Sequence, residues 1–276
     1  MPKRMQKLFA GLAVNPKNLA DIQKSFSIQA QNFENKNMNF SKQEYLNYTV
    51  QCMGLVPSDC VLEAAAGTCA CGRSVAPFVK SVICLDATPA MLAVGKEEAE
   101  KIGIKNMQFI NGYVENIPFE NQYFDIVLTR LSFHHFTDME RPFSEMHRVL
   151  KSGGQLVIID MEAVDEALRE IEDTIETMRD PSHIKNRSQD EFLALYEQYG
   201  YTVTKQETTA IPVSLAAWLA LTNTPYDVGK EIENFMQAEM RNGNPTGFRP
   251  YVQNGEICFE QRWALFIGKK CHDSNS

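Results

Sequence analysis

No window of the chain approaches the roughly 20 consecutive apolar residues that a helix needs to cross a bilayer, and basic residues occur as short pairs rather than clusters. The first absence excludes a helical membrane span. The second, joined to a formal net charge of −8, argues against nucleic acid, whose binding depends on phosphate neutralisation. The amino terminus, "MPKRMQKLFAGLAVNPKN", opens basic and turns apolar, but Asn15, Pro16 and Lys17 interrupt it before a signal-peptide core or cleavage pattern develops. Regular cysteine spacing is also missing. The seven cysteines are odd in number and scattered, so free thiols in a reducing compartment are expected rather than a disulfide framework, and the protein is expected to be cytoplasmic. Internal repeats and low-complexity tracts are absent.

What remains is ordinary material for a large globular unit: 276 residues, 44% hydrophobic and 22% charged. From about residue 58 to 160 short apolar runs alternate with longer amphipathic stretches, the pattern of βαβ units around a mostly parallel sheet. The strands predicted are Cys60–Ala64, Ser81–Asp86, Met107–Ile110, Phe124–Thr129 and Gln155–Asp160. Several are nearly continuous in Val, Ile and Leu, as strands covered on both faces must be.

Helices fill the gaps. "ATPAMLAVGKEEAEKIG" offers Thr88 as N-cap, Pro89 at the first helical position and Gly103 beyond the end. "SQDEFLALYEQYG" sets Ser188 and Glu191 at capping-box spacing and stops at Gly200. Residues 18–50 read as one or two helices forming an N-terminal cap or lid over residues 1–50, ahead of a domain over 51–276. After Asp160 the order changes to a helix over Glu162–Met178, the turn-rich "RDPSHIKNRS", the capped helix, a strand near Tyr201–Glu207, a helix near Tyr226–Met240 within a helical insertion near 211–250, and a last strand within Ile257–Gly268.

"VLEAAAGTCACGR" at 61–73 carries the functional signal. A strand that ends near an acid, a turn of small residues and a following helix form a general ligand platform, although helix–strand packing alone also calls for small residues there. The second strand ends in Asp86, 23 positions after Glu63. An acid there accepts hydrogen bonds from ribose hydroxyls in dinucleotide folds, so the pair favours a ribose-bearing ligand. A nicotinamide dinucleotide is disfavoured, because its diphosphate needs a glycine-rich turn and only Gly67 stands at the pattern positions.

"VLEAAAGTCA", "VICLDATPAML", "GYVENIPFENQYFDIVLTRLSFHHF" and "EMHRVLKSGGQLVIID", in this order, resemble the class I S-adenosylmethionine-dependent methyltransferases, specifically the group similar to the ubiquinone and menaquinone-biosynthesis C-methyltransferases. The resemblance spans residues 60–160. It implies a Rossmann-like, seven-stranded, mostly parallel sheet with an antiparallel last strand, and S-adenosylmethionine as cofactor with S-adenosylhomocysteine as product. By resemblance Ala64, Ala65, Gly67 and Thr68 lie against the methionine part, oriented by Glu63, and Asp86 takes the ribose hydroxyls. Ala87, Met91 and Val114 flank the adenine, and Arg130 sits near the methionine carboxylate. Where the family has an acid for the adenine amino group this chain has Tyr113, so Glu115 or a backbone carbonyl must replace that contact. Ala65 and Cys69 stand where the usual turn has its first and third glycines.

His134 and His135 follow the fourth strand, where parallel sheets place ligands. His135 is the candidate general base, with His134, His183 and Arg187 as candidate acceptor contacts; the alternative is that the histidines fix the loop through backbone hydrogen bonds. Arg179 and Lys185 share the polar turn with His183 and suit an acidic or polar acceptor, although Asp180–Pro181–Ser182 is also plain turn chemistry. Cys69 and Cys71 are one residue apart, not the usual metal-gripping spacing, and no second pair lies at ligand distance, so no metal is expected. Phe26, Phe33, Phe40, Trp218, Tyr226 and Phe235 sit on the helices that in this family make the lid and acceptor pocket. The expectation is a methyltransferase, monomer or homodimer, acting on a small molecule by in-line displacement. The alternative is a non-catalytic protein that binds S-adenosylmethionine as a sensor or scaffold.

Overall fold

A computed structural model describes residues 16–30, 32–34, 42–163 and 165–272. Two helices, α1 (Pro16–Gln29) and α2 (Gln43–Met53), precede the sheet; Phe40 lies outside the described residues. The chain then runs β1 (Cys60–Ala64), α3 (Ala70–Val75), β2 (Ser81–Asp86), α4 (Pro89–Lys101), β3 (Met107–Asn111), β4 (Phe124–Arg130), α5 (Glu140–Val149) and β5 (Leu150–Met161). It continues with α6 (Arg169–Arg179), α7 (Gln189–Gln198), β6 (Tyr201–Ser214), α8 (Leu215–Leu221), α9 (Tyr226–Asn242), β7 (Tyr251–Gln253) and β8 (Glu256–Lys270).

Seven strands follow the order β3-β2-β1-β4-β5-β8-β6, and β7 adds a short pairing to β8. The first five are parallel, whereas β8 runs antiparallel between β5 and β6. The chain leaves β1 toward β2 and β3, then returns to the other side of β1 with β4. That reversal opens a crevice beyond the carboxyl ends of β1 and β4, where open α/β sheets bind ligands.

Alternating side chains feed two layers. Leu62, Ile83, Leu85, Val127 and Ile158 face Phe143, Met146, Phe192 and Tyr196 of α5 and α7. Val61, Val82, Cys84, Ile126 and Val157 face Leu46, Met53, Val75 and Leu92 of α2, α3 and α4. A third cluster covers the antiparallel end, where Trp218, Ile232 and Met236 of α8 and α9 meet Phe259 and Trp263 of β8. Among the described residues no helix is long and apolar enough to cross a membrane.

Several boundaries differ from expectation for local reasons. β6 runs on to Ser214 through Pro212; proline is tolerated because β6 is the sheet's edge strand. The helix expected from Glu162 starts at Arg169 instead, because Glu162 bridges to the backbone at Arg187 and its carboxylate accepts from Thr208 and Arg262. The capping box at Ser188 and Glu191 forms. Thr88 makes no side-chain cap; its N–H donates to Asp86 instead.

Gly95 marks where α4 presses on the β1–α3 turn: a Cβ there would lie 2.6 Å from the Thr68 carbonyl oxygen and 2.9 Å from Cys69 Sγ. Gly95→Ala is therefore expected to destabilise the fold by about 1–3 kcal/mol in chemical unfolding, despite the usual helix gain of up to ~1 kcal/mol for Gly to Ala. Gly229→Ala in α9, where a Cβ meets only Leu219 Cδ1 at 3.3 Å, should be neutral or stabilising in the same measurement.

Candidate functional site

The turn after β1 is shaped by three left-handed residues, Ala65 (φ 53°), Gly67 (φ 53°) and Cys69 (φ 61°). Ala65 and Cys69 thus keep the backbone that glycine would adopt freely, at a cost of roughly 1–2 kcal/mol each. A Cβ on Gly67 would meet nothing within 4 Å, so the space above this residue belongs to the crevice.

Asp86, at the end of β2, holds that turn. Its carboxylate accepts the Gly67 N–H at 2.7 Å and the Thr88 N–H at 2.7 Å. Burial raises the Asp86 pKa, and these two amides oppose the rise. Glu63 lies beneath the turn, where its carboxylate accepts the Gly72 N–H at 2.8 Å and the Cys84 thiol at 3.5 Å. Burial pushes Glu63 up to about 7 despite those bonds. Gly72 is needed for this contact, because a Cβ there would lie 2.6 Å from Glu63 Oε2.

Above the turn is a cleft of about 1030 Å³, including its open mouth. Glu63, Ala65, Gly67 and Thr68 form its floor, and Asp86, Ala87 and Met91 one side. Tyr113, Val114 and Glu115 lie on a tight turn in which the Asn116 N–H donates to Tyr113 O at 3.0 Å. Arg130 and His135 complete the opposite wall, with the Arg130 guanidinium 5.0 Å above the Trp263 ring. Helix α1 roofs the cleft with Leu19, Ile22 and Phe26.

A second chamber of about 1040 Å³, again counting its opening, shares Phe26, Phe33, Leu131 and His135 with the first. Its further walls are Met161, Val213, Trp218, Leu221 and Trp263, and His134 and Arg179 also reach it. His134 Nδ1 donates to Asp160 Oδ1 at 2.6 Å, and the His134 and His135 rings are 4.1 Å apart. His135 Nδ1 donates to the Ser182 carbonyl oxygen at 3.0 Å. Burial, with the charge of neighbouring His134, depresses the His135 pKa to about 3.

Three sequence expectations are corrected in position. Ala64 does not line the cleft; it is the last residue of β1 and lies within the core. His183 is buried away from both cavities, its Nε2 bonded to Asp173 at 2.8 Å. Arg187 lines neither cavity and donates to Phe136 O at 2.8 Å. These two serve to hold the "RDPSHIKNRS" segment, while Arg179 from the same stretch does face the second chamber. Of the aromatic residues singled out, Phe26, Phe33 and Trp218 line cavities, Phe235 packs against the third cluster, and Tyr226 is 81% exposed.

Among the described residues, Glu63, Cys69 and Cys84 are the group whose ligand atoms lie within 4.8 Å of one another; Cys71 is not part of it. The Cys69 thiol instead donates to Gly67 O at 3.6 Å. Burial pushes Cys71 up to about 12 and Cys84 well above its usual value, so both are neutral packing thiols.

Sequence reasoning missed Asp160 as a site residue, because an acid closing a fifth strand has no local mark to separate it from a solvated one. It also missed Trp263, Leu131 and Phe136, which become neighbours only across the sheet. Gly72 and Gly95 did carry a signal, as glycines inside helices whose propensity cost asks for a reason.

Residues 62–158 match the methyltransferase domain family. The chain is 30% identical over 212 residues to the uncharacterized methyltransferase YcgJ of Bacillus subtilis, covering 76% of this chain and 84% of that one. The crystal structure of YcgJ superposes with a TM-score of 0.75 at 27% identity, over 83% of this chain and 99% of that chain. The ubiquinone/menaquinone biosynthesis C-methyltransferase of Edwardsiella ictaluri is 31% identical over 120 residues, 41% of this chain and 47% of that protein, so this chain spans about half of it. In fold alone the chain also resembles an N-methyltransferase of Haemonchus contortus in complex with phosphomonomethylethanolamine and S-adenosylhomocysteine, with a TM-score of 0.60 at 16% identity over 83% of this chain and 53% of that one.

Glu63 links the site to pH. Its folded pKa lies above the unfolded one, so its contribution to stability is complete below the unfolded value and is lost as pH rises through about 7. Glu63→Gln, which keeps an acceptor for Gly72, is expected to remove a loss of stability on the order of 3 kcal/mol between pH 4.5 and 7. Chemical unfolding of both proteins at several pH values checks this; parallel curves would contradict it.

Proposed function

The chain belongs to the methyltransferase domain family, and from that premise we propose that it transfers a methyl group from S-adenosylmethionine to a small-molecule acceptor. The observation that carries this proposal is the junction of two cavities. A polar-floored cleft beside Asp86 adjoins an apolar chamber lined by His134, and Phe26, Phe33, Leu131 and His135 line both.

The residues present fit the cofactor. Gly67 leaves open space where a bound group must approach the backbone closely. Asp86 has its two oxygens fixed by amide donors and keeps lone pairs for the ribose hydroxyls. Ala87, Met91 and Val114 offer an apolar slot for the adenine, with Tyr113 and Glu115 at its edge. Glu63 and Arg130 bring opposite charge types to the amino-acid end. The Haemonchus contortus neighbour, solved with S-adenosylhomocysteine, supports the same cofactor. S-adenosylmethionine, when bound, supplies an electrophilic methyl carbon on a positive sulfonium.

The chain's own task is then to position the acceptor, exclude water and take a proton where the acceptor must lose one. His134 is better placed for the proton than His135. Asp160 fixes Nδ1–H of His134, which leaves Nε2 as the basic nitrogen and stabilises the imidazolium that forms, as in other carboxylate–histidine pairs. His135 is kept neutral and orders the wall between the two cavities. The chemistry requires no metal.

Isothermal titration tests the cofactor step. S-adenosylhomocysteine should bind the wild type, Asp86→Ala should weaken it about 100-fold through loss of two charge-assisted hydrogen bonds, and NADH should give no heat. In a turnover screen of small ring-bearing nucleophiles, His134→Gln should lower kcat by about 100-fold or more while leaving S-adenosylhomocysteine affinity within twofold. Cofactor binding without turnover across the panel would favour a sensor or scaffold instead.

A further inference from the structure

Arg179 closes α6 and reaches the second chamber. It is 9% exposed, its guanidinium carbon lies 4.5 Å from the centroid of the Trp218 ring, and its Nε is enclosed without a hydrogen-bond partner. Its ionic neighbour is Glu176, at 3.6 Å from that Nε, beyond hydrogen-bonding reach. The adjacent Asp180 does not compete for the guanidinium face, because its carboxylate is taken by Ser25, Gln29 and Ser182. A buried guanidinium over an indole, with its Nε–H unpaired, is poised for a planar acceptor group.

The rest of the chamber matches in sign and shape. Among the described residues its lining carries a second cation, Lys42, and no carboxylate. Trp218 and Trp263 add enclosed indole N–H donors that lack hydrogen-bond partners. The surrounding surface is apolar, supplied by Leu131, Met161, Val213 and Leu221. Such a wall rewards a flat hydrocarbon body, and burying an anion there is tolerable only where a fixed donor meets it.

We propose that the second chamber binds a ring-bearing carboxylate, its acid group received by Arg179 beside Trp218 and its ring lying among the apolar walls. This rests on the methyltransferase proposal for the identity of the bound molecule as methyl acceptor, but the chamber's preference for an anion does not. Arg179 is here a specificity-determining residue: it anchors the acid end and so sets which atom of the acceptor reaches the junction at His134 and His135.

The test compares 2-naphthoate with 2-naphthamide, which share a ring and differ in charge. Binding to the wild type is measured by isothermal titration, with and without saturating S-adenosylhomocysteine. The acid should bind about tenfold or more tightly than the amide. In Arg179→Gln the preference should shrink to under threefold, with S-adenosylhomocysteine affinity unchanged within twofold. Arg179→Lys, which keeps the charge but not the fork, should fall between. Equal binding of acid and amide by the wild type, failure of both to bind, or a preference that persists in Arg179→Gln would overturn the proposal. Absence of S-adenosylhomocysteine binding alone would instead count against the cofactor, because the acid–amide comparison is read without it as well.

Discussion

The buried carboxylate of Asp160, 0% exposed at the end of β5, organises the functional end of this molecule. It accepts the Ser132 and Phe133 N–H groups at 2.7 Å each, the Met161 N–H at 2.9 Å and His134 Nδ1 at 2.6 Å. Burial by itself would raise its pKa, yet the His134 charge and these donors outweigh burial and hold the group below its usual value. An ionised carboxylate in the interior therefore ties the loop after β4 to β5. That loop is the partition between the cavities: Leu131 and His135 face both, Ser132 and Phe136 the first, and His134 the second. Without the anion, three backbone amides would be left buried and unmatched, and the partition would lose its shape.

Helix α1 depends on the same region from above. Gln23 Nε2 donates to Ala87 O at 2.8 Å, Asn18 Nδ2 to His135 O at 3.4 Å, and Ser25 and Gln29 both to Asp180. Glu34 forms a two-pronged ion pair with Arg73, which also donates to the Thr68 carbonyl oxygen of the turn. The roof is thus bound to the end of β2, to the partition and to the edge of the second chamber. The ties from Gln23 and Asn18 are side chain to backbone carbonyl, individually worth about 1 kcal/mol, whereas those from Ser25, Gln29 and Glu34 are side chain to side chain. Asp180 belongs to this system, held well below the usual carboxylate range against burial by the nearby His135 and Arg179 and by hydrogen bonds from Ser182.

Much of the parallel half was legible. β1 and β2 begin and end where the short apolar runs indicated, and Asp86 stands at the end of β2 as read, although its grip on the turn through the Gly67 N–H was not foreseen. Ala65 and Cys69 departed from the usual glycines, yet both adopt the left-handed backbone. The conformation is enforced by the Asp86–Gly67 hydrogen bond and by α4 packing at Gly95, contacts that no local propensity records. Legibility failed where long-range pairing decided. Register with β8 carried β6 seven residues past Glu207 and through Pro212, and His183 and Arg187 were drawn to Asp173 and Phe136 O rather than toward the cleft.

Periodicity, caps and two acids at adjacent strand ends sufficed to determine an α/β sheet and a crevice at β1 and β2, because those features arise within thirty or so residues of chain and each βαβ unit has few ways to close. The second chamber was settled only in three dimensions. Arg179, Trp218 and Trp263 come from α6, α8 and β8, and Asp160 meets His134 across 26 residues; which polar groups end up buried together follows from packing between elements that the sequence lists far apart.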